Sequence, residues 1–142
     1  MEILQAPPAN HEEIKIETED DIVIVRQRVR TLAQEKHFDS FAVAALTTAA
    51  SELGRNIWAH AGSGIARIEI LTHEEKEGIK ITFEDHGPGI SDIPRVLAGG
   101  YSTGKSLGLG LSGTTRLVDD FQIDSQPGKG TTVTVTKWNP IY

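Results

Sequence analysis

The sequence predicts an α/β fold, a two-layer sandwich in which about three helices cover one face of a mostly antiparallel mixed sheet. Its elements come in the order strand, two helices, two strands, an irregular loop, one helix and two strands. Strands joined by short turns pair antiparallel, and alternation of apolar and polar residues indicates a sheet with one solvated face. Because 142 residues with 38% hydrophobic content suffice for one core, we expect a single domain.

Two amphipathic helices are predicted after a first short strand at residues 14–16. The first helix runs from Asp20, the expected N-cap, to about Phe38, with apolar or small residues recurring on one stripe. The second begins after Ser40 and ends at the glycine-containing segment 61–64. Its apolar stripe consists of Val43, Leu46, Ala50, Leu53 and Ile57.

The second half of the chain is predicted to contain four strands and one helix. Alternating residues indicate the strands, at 65–72, 79–85, 121–125 and 131–137. The helix spans about 109–118 and follows an irregular stretch at 86–106, which is rich in glycine and proline and includes one helical turn near 93–97. Residues 127–130, Pro-Gly-Lys-Gly, are expected to form the turn between the last two strands.

Composition and domain boundaries exclude several classes of protein. Residues 1–12 are polar without periodicity, so we expect a flexible N-terminal arm followed by one domain at 13–142. A net charge of −6 disfavours nucleic-acid binding, and the absence of cysteine excludes disulfides and thiolate chemistry. The first residues do not resemble a signal peptide, and the weakly polar stretch 41–50 is too short to span a membrane. We therefore expect a cytoplasmic protein with no nucleic-acid or membrane partner.

Two glycine motifs match nucleotide-binding patterns but are rejected on their context. Residues 99–106 fit the P-loop pattern G-x-x-x-x-G-K-[ST], and residues 108–113 fit the dinucleotide pattern G-x-G-x-x-G. Both patterns need a hydrophobic strand directly before them, because the strand and the following helix bring backbone N–H groups onto the phosphates. Residues 93–98 instead contain a proline and a helical pattern, so the glycines need another explanation.

Glu52 and Asn56 form the first group of candidate functional residues. They are four residues apart on the second predicted helix, so they share a face beside the apolar stripe. Taken alone, this pair is more simply interpreted as an ordinary solvated helix face.

Three later segments carry residues suited to a nucleotide. Asp85 ends a predicted strand, and Gly87 and Gly89 follow it, which combines an acceptor-only side chain with backbone that a flat ligand can approach. Residues 104–113 place glycines at a helix start, where free N–H groups attract phosphate. Residues 130–131, Gly-Thr, enter the last strand.

The ordered segments resemble the N, G1, G2 and following boxes of the GHKL (Bergerat-fold) superfamily, which includes histidine kinases, gyrase, MutL and anti-sigma kinases. The matching residues are Glu52-x-x-x-Asn56, Asp85-x-Gly87-x-Gly89, Gly108-x-Gly110 and Gly130-Thr131. A more detailed resemblance, over roughly residues 20–138, is to the RsbT-type serine/threonine switch kinases of bacterial stress-signalling (stressosome) modules. It is carried by residues 51–57, 61–64, 87–90 and 100–103.

The resemblance implies a role for each candidate residue, with ATP and Mg²⁺ as cofactors. Asn56 is similar to the family's magnesium ligand, and Glu52 to the general base that orients or deprotonates the attacking hydroxyl. Asp85 resembles the carboxylate that accepts from the adenine amine, helped by a water near Thr131. The implied nucleotide-binding residues are Asp85, Gly87, Gly89, Ile90, Gly104, Lys105, Ser106, Gly108, Leu109, Gly110 and Thr131.

Some implied features stay open at this point. Residues 91–107 would form the ATP lid, and Lys105 within it would either contact the γ-phosphate or be solvated. Arg55 either has a family role or pairs with neighbouring acids on the helix surface.

The resemblance implies a Mg-ATP-dependent protein serine/threonine kinase that phosphorylates a STAS-domain scaffold or antagonist and then binds a downstream phosphatase or other output regulator. The main alternative is an anti-sigma factor kinase, which sequesters a sigma factor and phosphorylates an anti-anti-sigma protein. Other interpretations are a nucleotide-dependent scaffold with little turnover, a histidine kinase fragment, and a gyrase- or MutL-like ATPase. The last two need segments that we do not expect beyond residues 1–12 and the domain.

Overall fold

In the computed structural model of the protein, residues 11–90 and 107–139 are described, with the backbone alone at 107–110. The elements are β1 (His11–Ile16), α1 (Glu19–Glu35), α2 (Ser40–His60), β2 (Gly64–His73), β3 (Lys76–Asp85), α3 (Leu107–Thr115), β4 (Asp120–Gln126) and β5 (Gly130–Asn139). The predicted element order and the two-layer α/β sandwich are confirmed. The first strand begins at His11, before the predicted start of the domain, and the helical turn predicted near 93–97 lies outside the described residues.

The five described strands form one sheet in the order β1-β2-β3-β5-β4. Each of its neighbouring pairs is antiparallel, so the mixed character that we predicted does not occur among the described strands. Short turns join β2 to β3 and β4 to β5, and such hairpin connections produce antiparallel pairs. None of the described helices combines the length and the apolar character needed to cross a membrane.

One face of the sheet is apolar and packs against the helices. In the register, Phe83 of β3 lies opposite Ala66 of β2 and Val133 of β5, and all three are buried. From the helical layer, Leu46 and Leu53 of α2 are buried in the same core. The hydrophobic effect therefore fixes which face of each strand points inward.

The inner face of the sheet ends in a polar row. Asp85 lies two residues beyond Phe83 and therefore points to the same face. Its register partners are Gly64 on β2 and Thr131 on β5, and Thr131 in turn lies opposite Ser125 on β4. Polar side chains are thus placed directly beside the apolar core, at one end of the sheet.

The outer face carries an ion-pair network centred on Arg67 of β2. Its guanidinium donates to Glu13 of β1 at 3.0 Å and to Glu84 of β3 at 2.6 Å. The hydrogen bonds that Arg67 donates to these carboxylates, first to Glu84 and then to Glu13, raise the pKa of Arg67 above its usual value. One side chain thus connects three neighbouring strands.

Thr18, and not Asp20, is the N-cap of α1, so the prediction was wrong here. The Thr18 hydroxyl accepts from the backbone N–H of Asp21 at 3.3 Å, and the Asp21 carboxylate accepts from the backbone N–H of Thr18 at 3.0 Å. This reciprocal pair is a capping box, which satisfies two N–H groups at once. Asp20 instead lies in the first turn, where a negative charge is favourable near the positive end of the helix dipole.

Replacing Asp21 with asparagine is expected to lower the melting temperature by about 3 °C at pH 7. Backbone hydrogen bonds, first from Glu17 and then from Thr18, lower the pKa of Asp21 in the folded protein. A carboxyl whose pKa is lowered by folding contributes its full stabilisation at pH values above its pKa in the unfolded chain. This stabilisation is lost as the pH falls through its pKa in the folded protein. Thermal melts should therefore show a smaller difference in melting temperature between wild type and Asp21→Asn at pH 3 than at pH 7.

The control for this experiment is Asp20→Asn, which removes an equally charged neighbour outside the capping box. It should change the melting temperature less than Asp21→Asn does. An equal drop for both variants would mean that the helix dipole, not the capping box, is responsible.

Candidate functional site

A cavity of about 100 Å³ lies between α2, the ends of β3 and β5, and α3. Its lining is mostly apolar and has polar groups at two places. The described lining residues are Leu53, Asn56, Ile57, His60, Ala61, Phe83, Asp85, Pro88, Gly89, Ile90, Leu111, Thr131 and Val133. A mainly apolar cavity with a few placed polar groups is the usual character of a small-molecule site.

The side chain of Asp85 is held by backbone N–H groups of two segments, the loop that follows it and the neighbouring strand β5. Its Oδ1 atom accepts from the N–H of Gly87 at 2.9 Å and from the N–H of Thr131 at 3.3 Å. Its second carboxylate oxygen, Oδ2, has no hydrogen-bond partner among the described residues. The side chain therefore presents a spare acceptor at the end of an apolar cavity.

The loop after Asp85 needs its glycines at two positions. Gly89 has a φ of +78°, and a side chain there would collide with the backbone carbonyl of Gln126. A Cβ on Gly87 would lie 2.6 Å from the Cβ of Ala61, at the end of α2. The loop is also bound to the β4–β5 turn, because the N–H of Gly128 donates to the carbonyl of Pro88 at 2.7 Å. The glycines thus let the loop close one wall of the cavity.

Ser125, near the end of β4, is a site residue that the sequence analysis missed. Its hydroxyl accepts from the N–H of Ile90 at 2.7 Å, donates to the carbonyl of Gly130 at 3.0 Å and lies 2.8 Å from the Thr131 hydroxyl. The alternation of β4 places Ser125 on the inner face, and that was the available signal. What the sequence did not contain was the register that pairs Ser125 with Thr131.

Asn56 and Glu52 lie on the same side of α2, one turn apart, and both are half-buried. Asn56 lines the cavity, and its amide makes no hydrogen bond to a described residue although the Nδ2 atom is buried. Glu52 does not line the cavity. Its carboxylate instead pairs with Arg55 at 3.1 Å on the surface of the helix, which is the surface pairing that we considered for Arg55.

The remaining predicted site residues are only partly covered by the structure. Gly104, Lys105 and Ser106 lie outside the described residues. Gly108, Leu109 and Gly110 lie in the first turn of α3, where backbone N–H groups have no partner within the helix. The G-x-G-x-x-G match at 108–113 falls inside this helix and not in a strand–helix turn, which agrees with its rejection as a dinucleotide motif.

The chemistry of this site fits a nucleotide with a divalent cation. Apolar side chains can cover a flat base, and the spare oxygen of Asp85 can accept from an exocyclic amine. The buried Nδ2 group of Asn56 is a donor that makes no hydrogen bond to a described residue, and a ligand acceptor such as a phosphate oxygen would satisfy it. An amide oxygen is a suitable single protein ligand for Mg²⁺, which takes most of its shell from phosphates and water.

Comparisons with known proteins identify the family of this chain. Residues 17–137 match the family described as "Histidine kinase-like ATPase domain". The chain is 46% identical over 125 residues to the serine/threonine-protein kinase RsbT of Bacillus subtilis (strain 168), covering 88% of this chain and 94% of that protein. It is also 33% identical over 102 residues to the anti-sigma F factor of Thermoanaerobacter sp. (strain X514), covering 68% and 70%. The chain belongs to the histidine kinase-like ATPase family, as the GHKL resemblance predicted.

Proposed function

We propose that this protein is a Mg-ATP-dependent serine/threonine kinase that phosphorylates a partner protein. The observation that carries the proposal is the position of Asp85, whose free carboxylate oxygen lies at the end of an apolar cavity that Asn56 also lines. Family membership supports ATP as the ligand, and the 46% identity to a serine/threonine-protein kinase supports phosphoryl transfer to a hydroxyl.

The proposed roles follow from what each group can do. Asp85 accepts from the adenine amine, with Thr131 beside it, and Gly87, Gly89 and Ile90 shape the base pocket. Asn56 holds Mg²⁺, which neutralises phosphate charge when it is bound.

Glu52 orients the attacking hydroxyl and accepts its proton. For this it must turn away from Arg55, a change that costs little because exposed ion pairs contribute little stability. Backbone N–H groups of Gly108 and Gly110, at the start of α3, bind the phosphates together with the segment that holds Gly104, Lys105 and Ser106.

The partner proposed as substrate is a STAS-domain scaffold or antagonist of the stressosome type. After transfer, the kinase would leave this partner and bind a downstream phosphatase or other output regulator in the cytoplasm. Identity to RsbT over most of both chains supports this interpretation. Similarity to anti-sigma F factors supports the alternative, a kinase that sequesters a sigma factor and phosphorylates an anti-anti-sigma protein.

Replacing Asp85 with asparagine should weaken ATP binding about 50-fold, the range for losing a hydrogen bond to a charged group. The amide oxygen can keep the bonds from Gly87 and Thr131, but the amide nitrogen then presents a donor to the adenine amine. Titration calorimetry with ATP would measure the dissociation constant. The control is Asp124→Asn, an exposed acid on β4, which should bind ATP as the wild type does.

The activity itself is tested by incubating the protein with γ-labelled ATP, Mg²⁺ and candidate STAS-domain proteins. Label on a serine or threonine of one partner is the expected result. If ATP binds and no STAS protein is labelled, the anti-sigma alternative gains support, and binding to purified sigma factors is the next measurement. If ATP does not bind, the proposal for the site fails altogether.

A further inference from the structure

We infer that Ser125 is a positioning residue that makes the nucleotide pocket select adenine over guanine, by fixing the direction of the Thr131 hydroxyl. The inference rests on the proposed nucleotide site. Ser125 is half-buried on β4, next to Thr131 on the inner face. It does not line the main cavity, so it would act through its neighbour.

The proton count at Ser125 decides the direction of each hydrogen bond. A serine hydroxyl has one proton to donate and two lone pairs that can accept. The Gly130 carbonyl at 3.0 Å can only accept, so the Ser125 proton points there. The N–H of Ile90 at 2.7 Å can only donate, so it occupies one lone pair.

The remaining contact of Ser125 is with the Thr131 hydroxyl at 2.8 Å, where geometry alone permits either atom to donate. Since the only proton of Ser125 is used on Gly130, Thr131 must be the donor. The Thr131 hydroxyl then has only lone pairs left for the cavity that it lines. The direction of the Thr131 hydroxyl proton is thus set by Ser125, a residue that does not line the cavity.

Thr131 and Asp85 then form a pocket end that only accepts hydrogen bonds. The Oδ1 atom of Asp85 is occupied by two backbone N–H groups, and its Oδ2 atom is an acceptor. Adenine carries an amine donor at the position where guanine carries a carbonyl acceptor. Where it meets this position of the purine, an acceptor-only pocket end therefore binds the adenine amine and leaves the guanine carbonyl opposed by lone pairs.

The test compares Ser125→Val with Ser125→Thr, which have nearly the same shape and differ by one hydroxyl. Dissociation constants for ATP and GTP are measured for wild type and both variants, in the full chain with Mg²⁺. The preference for ATP is the dissociation constant for GTP divided by that for ATP. We expect this ratio to be about 10-fold lower in Ser125→Val than in Ser125→Thr, which is the effect of one hydrogen bond. Ser125→Ala repeats the loss of the hydroxyl without added bulk, and circular dichroism verifies that each variant is folded.

Two further variants separate positioning from a general structural effect. Thr132→Val alters the same hairpin on the outer face and should leave the ATP-to-GTP ratio unchanged. In a Thr131→Val background, Ser125→Val should cause no additional loss of preference, because the hydroxyl that it positions is gone.

Several results would overturn the inference while leaving the kinase proposal intact. One is the same preference for ATP in Ser125→Val and Ser125→Thr, and another is a loss of ATP and GTP affinity by the same factor. A third is a loss of preference from Ser125→Val that persists in the Thr131→Val background. The last is an equal loss of preference in Thr132→Val. If wild-type protein binds neither nucleotide, the proposed function itself is wrong. The two failures are therefore distinguishable.

Discussion

Replacing Asn56 with alanine is expected to reduce magnesium-dependent phosphoryl transfer by on the order of 10³-fold, since transfer relies on charge neutralisation at the phosphates. The Asn56 amide lines the cavity and makes no hydrogen bond to a described residue. Asn56→Ala should therefore remove the proposed metal ligand without disturbing a hydrogen bond to a described residue. Single-turnover transfer of labelled phosphate at varied Mg²⁺ concentration would measure the effect.

The control for Asn56 is Thr48→Ala, which changes an exposed residue of the same helix away from the cavity. Its transfer rate should equal that of the wild type. ATP affinity in the presence of a chelator should be nearly unchanged in Asn56→Ala, because the adenine contacts remain. Normal transfer by this variant at low Mg²⁺ would contradict the assignment of Asn56.

Glu52→Gln is expected to lower the transfer rate by roughly 10²- to 10³-fold and to leave the dissociation constant for ATP unchanged, since general bases contribute this much. Glutamine keeps the size of the side chain and removes its ability to accept a proton. Glu52 also lies outside the described cavity lining, so we expect ATP binding not to depend on it. Single-turnover rates and calorimetric titrations on the same preparations would separate the two effects.

Arg55→Gln is the matched control, because it breaks the same ion pair and keeps the Glu52 carboxylate. Its transfer rate should stay within about threefold of the wild type, as expected for losing an exposed pair. An equal loss in both variants would mean that the ion pair matters and that Glu52 is not the base.

Periodicity in the sequence was sufficient to predict the order of the strands and helices, but not that every neighbouring pair of described strands is antiparallel. The spacing of four between Glu52 and Asn56 correctly placed both on one side of α2, and strand alternation placed Asp85 at the end of β3. The cap of α1 was missed because Thr18 and Asp20 are both good capping residues, and only the backbone conformation distinguishes them.

The less predictable parts of the site depend on contacts between distant segments. Ser125 reaches Ile90 over 35 positions of the chain, a contact that no local pattern encodes. The pairing of Glu52 with Arg55 was equally open, because a side chain on a helix surface can turn towards a neighbour or a ligand.

The ion pairs of Arg67 bear on which side chain faces the cavity on the opposite side of the sheet. Glu84 and Asp85 are consecutive acids, and in a strand their side chains point to opposite faces. A slip of β3 by one residue would turn Glu84 towards the cavity and Asp85 towards solvent. Arg67 holds Glu84 on the outer face and connects it to Glu13 on β1. These contacts oppose the slipped pairing, so a surface arginine helps to determine which of two carboxylates faces the cavity.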